Sequence, residues 1–127
     1  MTAHYRIKFS DAIAAHQYAL LFGGRAGIIN ENGLHSAISR PYNGYFRFIH
    51  EKSAALMHAV IANHPFADAN KRTALQLTLL LIRRSGYELN LMPGERLDDI
   101  VVDVAAKRLE FKGLCEWFEC RLVRANR

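Results

Sequence analysis

Apolar residues recur along this chain at the three- and four-residue intervals of helices, and no stretch of any length alternates as a half-buried strand does. Leu56, Met57, Val60 and Ile61 mark one face of a helix predicted over residues 51–63. A break at 64–69 contains Pro65, and a second helix is predicted over 70–85, stopped by Gly86. Its apolar residues, Ala74, Leu75, Leu77 and Leu79 to Ile82, nearly encircle it, which puts it in the middle of a domain. Arg83 and Arg84 suit the negative end of its dipole. Upstream, Ser10 and Asp11 start a helix that Gly23 and Gly24 stop, and a Gly- and Asn-rich loop covers 23–33. A short helix over 34–40 is ended by Pro41. Two more helices are predicted over 95–109 and 113–124. The expected architecture is all-α: one compact helical domain over residues 1–127, with a short hairpin or loop beside it.

That hairpin or loop is residues 41–49, where Tyr42, Tyr45, Phe46 and Phe48 surround Asn43-Gly44. Asn-Gly between aromatics signals a hairpin. The alternative is a surface turn whose aromatics pack on the core.

Composition narrows the picture little. Half of the 127 residues are hydrophobic and 23% are charged, as in ordinary globular chains and unlike disordered ones. No signal-like segment opens the chain, and the longest apolar run, 77–82, is too short to span a bilayer. A cytoplasmic protein without membrane contact is expected. Cys115 and Cys120 form neither a zinc motif nor a disulfide framework. The net charge of +5 suits phosphates or an acidic partner. The basic residues are scattered, without an aromatic-interleaved stripe, so direct nucleic-acid contact is not expected.

The chemistry concentrates in residues 64–73, His-Pro-Phe-Ala-Asp-Ala-Asn-Lys-Arg-Thr. They lead into the first turn of the central helix, whose unpaired N–H groups make an anion site. Asn70, Lys71 and Arg72 add a side-chain donor and two cations there. Cations at that end oppose the macrodipole by roughly 0.3–1 kcal/mol each, a cost that a bound phosphate would offset. Histidine is the usual general base at neutral pH, which singles out His64. Asp68 offers the single carboxylate that Mg²⁺ needs beside phosphate oxygens; it could equally cap the central helix. Together these residues form a phosphoryl- or nucleotidyl-transfer constellation. The histidines at 4, 16, 35, 50 and 58 show no partner spacing.

At these residues the chain resembles the Fic/Doc family, whose motif reads H-P-F-x-[D/E]-G-N-G-R-x-x-R. His64, Pro65, Phe66, Asp68, Asn70 and Arg72 match it. Ala69 and Lys71 replace its two glycines, and Leu75 stands at its last arginine. These departures resemble the Doc branch, the toxins of death-on-curing modules, with H-x-F-x-D-A-N-K-R-T. The likeness extends over the Gly-rich loop and Arg-Pro-terminated helix of 23–41 and the helix exit at 84–89.

The resemblance implies a transferase. His64 would take the proton of a target hydroxyl, and Asp68 would hold Mg²⁺. Asn70, Lys71 and Arg72 would bind the phosphates of ATP or another nucleoside triphosphate, and Phe66 would anchor the loop. Tyr45 and Phe46 would belong to a flap that positions the target. The reaction expected is phosphoryl transfer to a Ser/Thr hydroxyl, since Ala69, Lys71 and Leu75 disturb the seat a triphosphate takes in the two-glycine loop. Doc-type proteins are implicated in modifying the translation factor EF-Tu and are neutralised by a small antitoxin. Two other readings stand beside this one: adenylyl transfer, as in the two-glycine Fic branch, and a non-catalytic module that binds an antitoxin or nucleic acid.

Overall fold

The computed structural model describes residues 3–126. Their helices are α1 (Phe9–Leu20), α2 (Glu31–Ser39), α3 (Ile49–Asn63), α4 (Asn70–Arg84), α5 (Leu97–Ala105) and α6 (Phe111–Arg121). A single 3₁₀ turn, Arg40–Tyr42, follows α2. The only sheet among the described residues is an antiparallel pair, β1 (Tyr87–Leu89) with β2 (Leu122–Arg124), in the register Tyr87 to Arg124 and Leu89 to Leu122. Among the described residues no helix is long and apolar enough to cross a membrane. The expectation of an all-α fold holds, with this small strand pair added.

α3 and α4 form the centre. α3 buries Ala54, Ala55, Leu56, Met57, Ala59 and Val60, and α4 buries Ala74, Leu75, Leu77, Leu81 and Ile82. Small residues on α3 let its neighbours approach closely: it packs on α2, α4, α5 and α6, while α4 also takes α1 and α5. Thr73 and Thr78, polar but fully buried, donate their hydroxyls to the carbonyls of Ala69 and Ala74 one turn back.

Several features differ from expectation: α2 opens at Glu31, inside the expected loop, α5 closes at Ala105 rather than 109, and α6 opens at Phe111 rather than 113. The fifth helix begins at Leu97 rather than Glu95. Glu95 accepts the Met92 amide at 2.7 Å and takes Arg121 at 2.6 and 2.7 Å, so it closes a turn instead of opening the helix. The last helix ends at Arg121, because the three residues after it pair with β1. Residues 41–49 form no hairpin. Asn43 and Gly44 do turn the chain, with Asn43 Oδ1 accepting the Tyr45 amide at 2.8 Å and Gly44 at φ +90°. The flanking aromatics, however, are held by side-chain contacts. Tyr42 donates to the Tyr5 carbonyl at 2.7 Å and accepts the Ile7 amide, and Phe46 lies against Phe111. Anchored separately, the two arms do not pair.

Candidate active site

α3 ends where His64 adopts a left-handed conformation, φ 47° and ψ 56°. α4 begins after a second left-handed residue, Ala69, at φ 63°. Left-handed backbone in a non-glycine residue costs roughly 1–2 kcal/mol, so surrounding contacts must fix the loop between them. They do so from three sides.

From inside the loop, the buried Asn70 side chain closes a ring on Phe66. Its Oδ1 accepts the Phe66 amide at 3.0 Å and its Nδ2 donates to the Phe66 carbonyl at 2.9 Å. The same Nδ2 lies 3.3 Å from Nδ1 of His64. With the amide donating, Nδ1 is the acceptor and Nε2 carries the ring proton. A base acting through Nε2 needs the other tautomer and gives up this contact, whose length makes the loss small.

From below, the fully buried Phe66 ring stacks on His16 of α1, with centroids 3.9 Å apart and planes 9° from parallel. His16 Nε2 also reaches the Asp68 carbonyl at 3.0 Å; a carbonyl only accepts, so Nε2 carries the hydrogen. His16 therefore grips the loop twice. Its spacing in the sequence gave no sign of this, because its partners lie about fifty residues away.

From the side, the Gly-rich loop at 23–30 runs against it. Pro65 O accepts the amides of Ile29 and Asn30, at 2.8 and 3.1 Å, and Gly27 O accepts that of Ala67 at 2.9 Å. Gly24 sits at φ +112°, and a Cβ there would come within 3.3 Å of the Asp68 carboxylate. Only glycine suits both its conformation and that approach.

The exposed Asp68 carboxylate accepts two backbone amides, Ala69 N at 2.9 Å and Arg25 N at 3.2 Å. These bonds, and then the charges of Arg25 and Arg72, hold its pKa below the usual carboxylate range. Asp68 supports the turn into α4, but the residue at the cap position is Ala69. Arg25 is a site residue that sequence reasoning missed, since it reaches Asp68 across 43 residues, first through its backbone amide and then through its charge.

Lys71 and Arg72 occupy the exposed first turn of α4, which holds no acidic residue. Their roles diverge. The Lys71 side chain makes no hydrogen bond or ion pair among the described residues. Arg72 turns back on α1, donating from Nη1 to the carbonyls of Ala19 and Gly23 at 2.9 and 3.1 Å, so it caps that helix. Both border a cleft of about 390 Å³ between α1, α4 and α5, with Tyr18, Phe22, Leu75 and Val101 on its walls. No contact joins Tyr45 or Phe46 to His64, Asp68 or the start of α4 among the described residues. Their loop enters the N-terminal end of α3, and Phe46 lies against Phe111 and Arg40, both of which meet α3 at His58, six residues before His64. What does lie beside His64 and Asp68 is residues 23–30, with Ile29 exposed and Ile28 bridged to Phe66.

The Fic/DOC family model matches residues 6–82, a stretch that contains the whole of this loop and everything that clamps it. The chain belongs to the Fic/DOC family. Within the family it is similar to protein kinase doc of Escherichia phage P1, with 36% identity over 66 residues. That alignment covers 52% of this chain and 51% of the phage protein, so the chain spans about half the length of the curated relative it matches. The family's matched region ends inside α4; α5, α6 and the strand pair lie beyond it.

Proposed function

We propose that this Fic/DOC protein is a protein kinase of the Doc type, which moves the γ-phosphoryl group of a nucleoside triphosphate to a Ser or Thr hydroxyl of a target protein. The observation that carries the reading is the exposed His64 ring one loop away from a helix start that bears Lys71, Arg72 and no acidic residue. A base and a phosphate-sized concentration of donors on the same short loop suit in-line transfer.

In this reading His64 takes the hydroxyl proton as the new O–P bond forms, and the bond from the γ-phosphorus to the bridging oxygen breaks to release the nucleoside diphosphate. Lys71 and the N–H groups of the first turn of α4 stabilise charge on the phosphoryl oxygens. Arg72 adds its charge and the N–H groups of Nε and Nη2, while Nη1 is committed to α1. Asn70 and Phe66 keep the loop in shape. Asp68 fits the single-carboxylate role for Mg²⁺: it is exposed, deprotonated at neutral pH and leaves lone pairs on both oxygens. When bound, Mg²⁺ would neutralise phosphate charge and fix phosphate orientation. The exposed edge around Ile29 is placed to meet an extended target segment.

The family resemblance extends the proposal to biology: a toxin of a cytoplasmic toxin–antitoxin pair, acting on a translation factor such as EF-Tu. The exposed Tyr18, Leu21 and Phe22 at the end of α1 offer apolar surface to an antitoxin segment. The testing experiment supplies ATP labelled at the α or γ phosphate with purified EF-Tu as acceptor. Label from the γ position alone is expected, and His64→Ala should reduce it about 10²–10⁴-fold while remaining folded. Transfer of the α label would make the protein an adenylyltransferase; a fully active His64→Ala would refute the mechanism.

A further inference from the structure

α3 and α4 pack against each other, with His64 and Asn70 at the turn between them. The far end of the pair holds a second cleft, of about 790 Å³. Its walls include His4, Arg47, Phe48, Lys52, Ser85 and Arg124, drawn from the N-terminal segment, the approach to α3, the end of α4 and β2. None of these belongs to the loop that carries the proposed catalysis.

The cations of this cleft are only partly balanced: the Glu51 carboxylate feels the charges of His50 and Arg47, and Arg124 lies over the Tyr87 ring at 5.5 Å. Lys52 Nζ donates to His4 Nδ1 at 2.9 Å, which leaves the ammonium with further N–H groups to offer. Arg47, Lys52 and Arg124 take part in none of the ion pairs formed among the described residues. The nearby carboxylates are occupied or peripheral. Glu51 Oε1 accepts the backbone amides of Arg47 and Phe48, and Glu119 meets His50 at 3.9 Å from an exposed position. Ser85, 93% buried, accepts the Tyr5 amide at 2.9 Å, and its hydroxyl proton has no acceptor among the described residues. The Phe48 ring, stacked on His50 at 5.5 Å, is more than half exposed. Burial and then the Lys52 charge lower the pKa of His4, and burial lowers that of Lys52. Burial favours the neutral form of each group, and an anion seated here would oppose that cost by favouring the charged form.

We propose that this cleft is a second anion site, which takes a pyrophosphate-class ligand, either inorganic pyrophosphate or the phosphate tail of a nucleotide. Two arginines, a lysine and a serine hydroxyl supply the charge-assisted donors that phosphate oxygens require. The volume lies in the range of small-molecule sites and exceeds what a single phosphate needs, which leaves room for a base against Phe48. The basic groups cluster in one cleft, which favours a small anion over nucleic acid, a ligand that calls for an extended basic track. The proposal is independent of the reaction assigned to His64.

The test uses the full chain with ¹³C-labelled histidine, titrated with sodium pyrophosphate and separately with ATP. His4 and His50 signals should shift with both. Arg47→Glu combined with Arg124→Glu, both at exposed positions, should weaken that response about tenfold or more. Lys52→Met should do the same by another route, and Lys71→Ala, at the opposite pole, should leave it intact. A stronger response to ATP that Phe48→Ala reduces to the pyrophosphate level assigns the nucleotide; equal responses assign the phosphates alone. The proposal is overturned if neither ligand moves His4 and His50, or if the folded charge-reversal protein responds like wild type. It is also overturned if an oligonucleotide or a glutamate peptide shifts these signals and pyrophosphate fails to compete.

Discussion

The side-chain amide of Asn70 binds both backbone groups of Phe66 and also touches the His64 ring, at 3.3 Å from Nδ1. One buried side chain thus sets the shape of the loop and biases the tautomer of its histidine. Asn70→Ala leaves a buried N–H and C=O unpaired, at about 1–3 kcal/mol for each unsatisfied group. We expect a clearly lower denaturation midpoint together with loss of transfer. Asn70→Asp keeps the bond from the Phe66 amide but sets oxygen against the Phe66 carbonyl, so it should rescue little. A variant with wild-type stability would mean that the ring on Phe66 contributes nothing.

His16 lends itself to separating its two grips. His16→Phe keeps an aromatic ring against Phe66 and deletes the bond to the Asp68 carbonyl; His16→Gln can restore a donor without the ring. If the bond positions the start of α4, His16→Phe should lower transfer about ten- to a hundredfold, chiefly through the KM for Mg²⁺-nucleotide. Its stability should change by only about 0.5–1.5 kcal/mol. Unaltered kinetics in a folded His16→Phe protein would reduce His16 to core packing.

Asp68 makes a pH-dependent prediction. Its folded-state pKa is depressed by the Ala69 and Arg25 amides, so its contribution to stability is present above the unfolded value, about 3.9. The contribution is lost as pH falls through the folded value. The melting-temperature gap between wild type and Asp68→Asn should therefore hold constant from about pH 7 to about pH 5 and close only in stronger acid. The same substitution should weaken Mg²⁺-dependent nucleotide binding at neutral pH. Transfer that persists in EDTA would remove the metal role and leave Asp68 as a support for the turn.

Two segments compete to position the target. Ile29 is on the loop bonded to Pro65, and Tyr45 is on the loop at the far end of α3. Both side chains are exposed, so alanine at either should leave folding intact. Ile29→Ala is expected to raise the KM for the target protein several-fold, with nucleotide binding unchanged; Tyr45→Ala should do neither. The reverse pattern would return the flap to Tyr45 and Phe46.

The helical order was readable because periodicity and glycine stops are local, and Gly23-Gly24, Pro41 and Gly86 all fall at or close to element ends. The 64–73 stretch was readable because its residues are contiguous. Distant partners left no such trace. The strand pairing of Tyr87–Leu89 with Leu122–Arg124 joins segments more than thirty residues apart, so the last residues read as helix. His16 looked ordinary for the same reason. Asn43-Gly44 gave a true turn and a false hairpin, because turn chemistry does not report where the flanking aromatics find their contacts. Arg72 shows the limit of reading charge: its place in the motif suggests a phosphate ligand, and its geometry adds a helix cap.

The left-handed backbone at His64 also shapes how such a protein can change over generations. Glycine and asparagine settle into that conformation more easily than most side chains. Random change at this position is therefore filtered toward replacements that abolish the imidazole and spare the fold. A lineage released from selection for activity would be expected to drift into folded, silent copies. Such copies would keep every surface by which the active protein is recognised, and could compete with it for the same partners.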